Sequence, residues 1–316
     1  MAPDLSLIIV TWNSRHDIEK CLQALEKFCI GVAVEIIVCD NASPDGTAEW
    51  VAARHPQVRL IRLETNIGFA GANNFAAQKA AGRHLLLLNP DTWVDGDLAA
   101  ALTHFLDAHP QAGACAPRLV NPDGSLQLGA MRTLPTLETL FYEQTGLSRL
   151  FPRSRRFGRY MMTWWDHNDR REVEQPAGAC LAVRREVFAQ IRGFDEGYFM
   201  YYEDVELCRA LRAAGWKIYF LPEARVYHVG NQSASQAVAK NFPQFYRSMY
   251  RYYRRHHGRR AVWLAKLIVG MAELGKLAAL LLLLPFEKFQ QRPKNWRSRR
   301  EQFYNHARFF VQHWSY

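Results

Sequence analysis

His84-Leu-Leu-Leu-Leu-Asn-Pro-Asp91 is the stretch on which the fold turns. Four consecutive leucines without polar alternation read as a short strand buried on both faces, the kind found inside a parallel sheet. That strand runs directly into Asn89-Pro-Asp91, so it delivers a carboxylate at its carboxyl end. The same grammar repeats upstream. Leu5-Ser-Leu-Ile-Ile-Val-Thr11 is a strand by its β-branched enrichment, Val34-Glu-Ile-Ile-Val-Cys39 is a second, ending in Asp40, and Val58 to Leu63 is a third. Between them, Arg15 to Phe28 carries Ile18, Cys21, Leu22, Leu25 and Phe28 at helical spacing, Ser43-Pro-Asp-Gly-Thr47 turns into a short helix, and Phe69 to Ala81 is a helix of small residues. Strands alternating with helices imply an α/β domain with a parallel sheet covered on both faces.

In such sheets ligands bind beyond the carboxyl ends of the strands. Four of these ends carry polar groups: Thr11 with Asn13, Asp40 with Asn41, the Asn66 loop, and Asn89 with Asp91. Loops are polar in general, but Asn and Asp recurring at one edge of consecutive strands point to a binding site. Residues 113 to 176 are less regular and read as a lid or acceptor-binding segment, with Pro-Asp-Gly at 122–124 and the aromatic run Trp164-Trp165-Asp166-His167. Regular patterning returns from Gly178, with a strand at Cys180–Val183, helices at Arg185–Ile191 and Glu203–Ala214, and strands at Lys217–Leu221 and Ala224–His228.

Charge divides the chain. The net charge is +10, yet from Lys240 onward there are 16 Lys and Arg against three acids, which leaves the preceding body slightly acidic. The two parts therefore meet different partners. Ala261 to Phe286 is largely apolar and interrupted by Lys266, Glu273 and Lys276, which share one helical stripe with Gly270. Charges in its middle and basic clusters on both flanks argue against spanning a bilayer and for a helix lying in an anionic membrane surface. The alternative is packing on the body or in a homodimer. The six cysteines form no C-x-x-C pair and read as reduced thiols of a cytoplasmic protein. The opening residues carry no basic lead and no long apolar run, so a secretory signal is not expected.

Three constellations carry chemistry. Asp91 offers a hard oxygen ligand, and Tyr227-His228-Val-Gly230 closes another apolar strand with a second ligand type, a pair that suits Mn²⁺ or Mg²⁺ held against phosphate oxygens. A lone His after a strand is as readily a structural residue. Phe199-Met-Tyr-Tyr-Glu-Asp204 brings Glu203 and Asp204 to a helix N-terminus through an aromatic approach. Helix capping accounts for one of these acids, whereas a carboxylate at the floor of an aromatic pocket suits deprotonation of a sugar hydroxyl. Asn66-Ile-Gly-Phe-Ala-Gly-Ala-Asn-Asn74 allows close backbone approach to phosphate or ribose. It is neither a P-loop nor G-x-G-x-x-G, which counts against an ATPase and a dinucleotide oxidoreductase.

Together these pieces resemble the family 2 glycosyltransferases of the GT-A fold, and more narrowly their bacterial rhamnosyltransferase-like branch. The resemblance covers about residues 4 to 232. It rests on Ile8-Ile-Val-Thr-Trp-Asn-Ser14, Val38-Cys-Asp-Asn-Ala-Ser43, Asn66-Ile-Gly-Phe with Asn73-Asn74, Leu88-Asn-Pro-Asp-Thr92, Trp165-Asp-His167, and Gly193-Phe-Asp-Glu with Tyr202-Glu-Asp204. It implies a Rossmann-like, mixed but mostly parallel sheet flanked by helices over residues 1–235; residues 236–316 read, from their charge and apolar pattern, as a helical, basic, membrane-associating extension. By resemblance, Thr11, Asn13, Asp40, Asn66, Gly68, Asn73, Asn89 and Asp91 border the donor, and Asp91 with His228 holds the metal. The family's D-x-D metal motif stands here as Asn89-Pro-Asp91, so its first acid is missing. Asp204 is the general base, with Glu203 the neighbouring candidate, and Trp165, Asp166, His167 and Tyr202 lie toward the acceptor.

The resemblance further implies inverting transfer of L-rhamnose from dTDP-L-rhamnose to a lipid-linked or polysaccharide acceptor in cell-surface glycan synthesis, on the cytoplasmic face of the membrane. Other UDP- or dTDP-sugars, such as galactofuranose or N-acetylglucosamine, are the alternative donors. A non-catalytic nucleotide-sugar-binding scaffold is the alternative role. The Arg/Tyr-rich tail also permits nucleic-acid binding, but that leaves the adjacent apolar helix unexplained, and no nucleic-acid partner is expected.

Overall fold

The structure, a computed structural model, describes residues 2–230, 238–283 and 299–316. The chain divides into two compact units: residues 1–134 with 159–238, and residues 135–158 with 239–316.

The first unit is built on strands β1 (Leu5–Thr11), β2 (Val34–Asp40), β3 (Arg59–Arg62), β4 (His84–Leu88), β5 (Thr92–Val94), β6 (Ala112–Val120), β7 (Met131–Arg132), β8 (Arg171–Val173), β9 (Gln175–Pro176), β10 (Cys180–Arg184) and β11 (Lys217–His228). Its main sheet runs β3-β2-β1-β4-β10-β6-β11-β5, with β8 also on β11, while β7 and β9 form a small ribbon. β1 pairs in parallel with both β2 and β4, so the strand order reverses there, the position at which open α/β sheets hold ligands. Every residue of β1 and β4 is buried, as expected of strands covered on both faces. Helices α1 (Ile18–Phe28), α2 (Thr47–Arg54), α3 (Gly68–Ala77) and α4 (Leu98–Ala108) supply the covering layers. The α1 stripe of Ile18, Cys21, Leu22 and Leu25 is buried, as its spacing requires.

Two expectations change. Residues 113 to 176 are not a lid throughout, because Ala112–Val120 is a central strand of the main sheet. Ala, Gly, Cys and Pro dominate its first half and carry no β-branched signal, and its burial comes from pairing with β10 and β11. Lys217–His228 is one strand and not two, with a register shift between Leu221 and Arg225. That irregularity accommodates Pro222, which has no N–H to offer the ladder. The sheet is mixed, since β10 runs antiparallel to β4 and β6.

The second unit is helical, with α5 (Leu137–Thr145), α6 (Leu147–Leu150), a long helix Val238–Leu283 and a last helix Arg299–Gln312. Gly258 interrupts the long helix at φ 81° and ψ 175°. Beyond it the polar stripe faces inward: Glu273 is fully buried, with its carboxylate on Lys276 Nζ and His306 Nδ1, each at 2.6 Å. Lys266 Nζ donates to the Trp314 carbonyl at 2.8 Å. Lys266 and Glu273 therefore line an internal seam, while Lys276 reaches Glu273 from the exposed side. No helix among the described residues is long and apolar enough to cross a membrane. The expected boundary at 235/236, and residues 284–286 of the apolar segment, lie outside the described residues.

Candidate active site

The parallel register aligns Thr11 with Asp40 and Ile9 with Leu88, so β1, β2 and β4 end along one edge. There Thr11 Oγ1 donates to Asp40 Oδ1 at 2.9 Å, and the Ser43 amide donates to Asp40 Oδ2 at 2.9 Å. Asn13 sits beside them in the left-handed region at φ 54°, with its amide donating to Ser43 Oγ at 3.0 Å. Its Oδ1 is buried without a partner. A buried acceptor left open at a strand edge is the kind of group a ligand satisfies.

The Asn66 loop is tied to the same edge. Asn41 Nδ2 donates to Asn66 Oδ1 at 3.0 Å and to the Gly68 carbonyl at 3.1 Å, and Asn41 Oδ1 accepts from the Ile67 amide at 2.9 Å. Gly68 has φ +80°, and a Cβ on it would sit 2.7 Å from the Phe199 carbonyl, so only glycine fits. This contact joins the start of α3 to the aromatic approach before Glu203. Asn73 is turned inward, its Nδ2 donating to the Phe69 carbonyl at 2.9 Å, while Asn74 clasps the Gly193-Phe-Asp-Glu turn through Phe194 and Glu196.

Asp91 and His228 meet. His228 Nε2 lies 3.3 Å from Asp91 Oδ1, although the two residues come from β11 and from the loop between β4 and β5. The junction is set by backbone: β5 pairs with β11 with Thr92 opposite His228, and the Val229 amide donates to the Asp91 carbonyl at 3.0 Å. Gln127 fixes the imidazole, with its Oε1 on His228 Nδ1 at 2.8 Å and its Nε2 donating to the His228 carbonyl at 3.2 Å. Nδ1 donates to the Gln127 oxygen, and Nε2 is the nitrogen turned to the Asp91 side, the orientation of metal-ligating histidines. Two donors around one divalent ion stand about 3 Å apart when each is about 2.1 Å from it, so the pair fits an ion. No cluster of three or more His, Cys, Asp or Glu ligands occurs among the described residues. Phosphate oxygens and water would complete such a shell.

The second acidic site opens the helix Glu203–Ala213. The preceding Tyr201 and Tyr202 both adopt left-handed φ, 66° and 67°, a strained pairing of the type that accumulates at functional sites. Asp204 Oδ2 accepts from the Gly178 amide at 3.0 Å and from Gln175 Nε2 at 3.1 Å, and Oδ1 accepts from the Val205 amide at 2.8 Å. Arg132 Nη2 stands 3.8 Å from Oδ2. Glu203 differs: its Oε2 is buried without a partner, and burial together with the Asp204 charge pushes its carboxyl up to about 8. The two sites are one backbone step apart, since Gly178 holds Asp204 while the carbonyl of Ala179 accepts from the Asn89 amide at 2.9 Å.

In the aromatic run at 164–167, Trp165 and His167 are buried, stacked at 4.1 Å, and edge onto Phe220, whereas Asp166 is exposed and accepts from the Asn168 amide. Gln127, Arg132, Gln175 and Gly178 were not singled out by sequence. Only the Pro122-Asp-Gly turn hinted at Gln127, because that turn folds the chain back so that the Gln127 amide reaches the Leu119 carbonyl at 3.0 Å.

The family described as glycosyltransferase like family 2 matches residues 3–261. The N-acetylglucosaminyl-diphospho-decaprenol L-rhamnosyltransferase of Mycobacterium tuberculosis is 31% identical over 262 residues, covering 79% of this chain and 84% of its own length. Rhamnosyltransferase WbbL of Escherichia coli is 25% identical over 194 residues, 58% of this chain and 69% of its own. Among solved structures, the mannosyltransferase PcManGT of Pyrobaculum calidifontis, in complex with GDP-Man and Mn²⁺, matches all of this chain and 87% of its own, with TM-score 0.55 and 17% identity. That likeness is one of fold. The family match over residues 3–261 and the 31% identity of the mycobacterial relative make this chain a member of the family 2 glycosyltransferases, rhamnosyltransferase-like in sequence and GT-A in fold.

Proposed function

We propose that this protein is an inverting rhamnosyltransferase that moves L-rhamnose from dTDP-L-rhamnose onto a lipid-linked saccharide in cell-surface glycan synthesis. The observation that carries this reading is the meeting of Asp91 and His228 at 3.3 Å on the same sheet edge that fixes Asp204. The rhamnosyl group and the lipid-linked acceptor come from the mycobacterial relative, whose name states them, and the dTDP carrier from the family resemblance. Peripheral association with the cytoplasmic membrane face belongs to the same reading, because a lipid-linked acceptor is presented there.

Asp204 is the base. A carboxylate has about four lone-pair sites, and three hydrogen bonds from Gly178, Gln175 and Val205 leave one for an acceptor hydroxyl. Arg132 Nη2 stands 3.8 Å from Asp204 Oδ2. Glu203, held protonated near neutral pH, is unsuited to accept a proton. Asp204 takes the hydroxyl proton as that oxygen bonds to the anomeric carbon, and the bond from that carbon to the diphosphate oxygen breaks. One displacement without an enzyme nucleophile inverts the anomeric centre.

Asp91 and His228 would hold Mn²⁺ or Mg²⁺, which when bound neutralises charge on the departing diphosphate. Thr11, Asn13 and Asp40 would receive the nucleoside, and the open Asn13 Oδ1 supports that role. Asn66 and Gly68 would border the nucleotide from the loop that Asn41 secures, and Asn89 the diphosphate side. The test pairs two measurements. Melting temperature should rise with dTDP-rhamnose, and more so with Mn²⁺. Asp204→Asn should keep that donor shift yet lose transfer by about 10³-fold or more. Near-normal turnover by that variant would exclude the base assignment.

A further inference from the structure

The long helix of the second unit is amphipathic in an unusual sense. Past Gly258, Lys266 and Glu273 are buried against the protein, while the large apolar residues face outward. Glu273 and Lys266 are sealed against His306 and Trp314, and Ala265, Val269 and Gly270 share that buried side. On the other side Leu264, Leu267, Met271 and Leu274 succeed one another at three- and four-residue spacing with Trp263 beside the first, all from 48% to 63% exposed, and Leu282 continues the line at 75%. A contiguous apolar stripe of this kind marks an interaction surface.

Charge decides which partner it fits. Just before the stripe, Arg251, Arg254 and Arg255 ahead of the Gly258 break and Arg259 and Arg260 after it are exposed. From Lys240 to the end the chain carries 16 basic residues against three acidic ones. A second copy seated on this face would bring two such cationic runs together, which opposes pairing. An anionic bilayer satisfies both features at once: headgroups meet the arginines, acyl chains meet the leucines, and an indole at their junction suits the interface. We propose that the outward face from Trp263 to Leu282 lies in the plane of an anionic membrane surface, with the buried Lys266 and Glu273 seam locking that face outward. The inverted orientation distinguishes this from an ordinary surface helix, whose charges would face water. For its purpose the proposal rests on the lipid-linked-acceptor reading, since it holds the enzyme where such an acceptor is found.

The test uses the full chain in vesicle flotation, with phosphatidylcholine alone or mixed with phosphatidylglycerol. Wild type should float with the anionic vesicles and lose much of that binding at high salt. The triple variant Leu264→Glu, Leu267→Glu, Met271→Glu should bind them on the order of tenfold or more weakly, with its melting temperature unchanged because the three side chains are exposed. Quenching of tryptophan fluorescence by lipids with brominated acyl chains should drop in Trp263→Phe. Arg254→Gln with Arg259→Gln should remove the preference for anionic over neutral vesicles. Failure of wild type to float, or equal binding by the triple variant, overturns the proposal. So does a wild-type dimer that the triple variant converts to monomer. Transfer to a water-soluble acceptor reports on the function separately: its absence alongside intact, Leu264-dependent flotation refutes the rhamnosyltransferase reading and leaves the membrane face standing.

Discussion

Replacing Gln127 by leucine removes two hydrogen bonds to one histidine and leaves the shape nearly unchanged. In the native protein the amide accepts from His228 Nδ1 at 2.8 Å and donates to the His228 carbonyl at 3.2 Å. Without it the ring can rotate and exchange tautomers, so the nitrogen facing Asp91 is no longer reliably a lone pair. Loss of such a supporting contact typically weakens metal affinity by about 10–100-fold, or roughly 1.4–2.7 kcal/mol. The assay is Mn²⁺ titration in the presence of nucleoside diphosphate, read by electron paramagnetic resonance, with metal-free nucleotide binding and melting temperature as controls. Gln127→Leu should shift only the Mn²⁺ curve, and kcat should recover at saturating metal. Gln127→Glu, which keeps an acceptor for Nδ1–H, should fall between the two. A leucine variant that binds Mn²⁺ within about twofold of wild type would refute the argument that this amide prepares the histidine.

Three further outcomes are expected. Glu203→Gln should stabilise the fold at pH 8 to 9 by on the order of 2 kcal/mol and by little near pH 4. The native carboxyl is raised to about 8, so the folded state holds a proton that the unfolded state releases, and stability falls as pH rises between those limits; urea unfolding across pH measures it. Gly178→Ala places a Cβ 3.0 Å from Asp204 Cβ, so the base shifts by a few tenths of an ångström. Turnover should drop by about tenfold while the donor thermal shift persists. Gly68→Ala meets the Phe199 carbonyl at 2.7 Å in a left-handed backbone, and should cost about 2 kcal/mol in denaturant unfolding together with a loss of donor binding in calorimetry.

Much of the first unit was legible because its strands declare themselves. The leucines of β4 and the β-branched residues of β1 have no comfortable alternative to a buried sheet, and each ends in a polar residue that the parallel register carries to one edge. β6 was hidden because its Ala-Gly-Ala-Cys-Ala-Pro run has no local preference, and its neighbours in the sheet decide its state. Asp91, His228 and Asp204 could be named from strand and helix ends, whereas Gln127 and Gln175 act through partners 101 and 29 residues away. Such pairings leave no periodic trace. The long helix shows a different limit: a pattern reveals that a helix has two faces, but which one turns inward depended on His306 and Trp314, far along the chain.

The hairpin-like join of β4 and β10 has a consequence for how such an enzyme diversifies. Cys180 sits opposite Leu88, and the residues just beyond that pair grip Asp204 on one side and Asn89 on the other. The spacing between proton acceptor and leaving-group site is therefore a property of a backbone ladder, insulated from side-chain change. Loops facing the sugar and its acceptor are then at liberty to drift toward new substrates while the reaction coordinate stays where the ladder holds it.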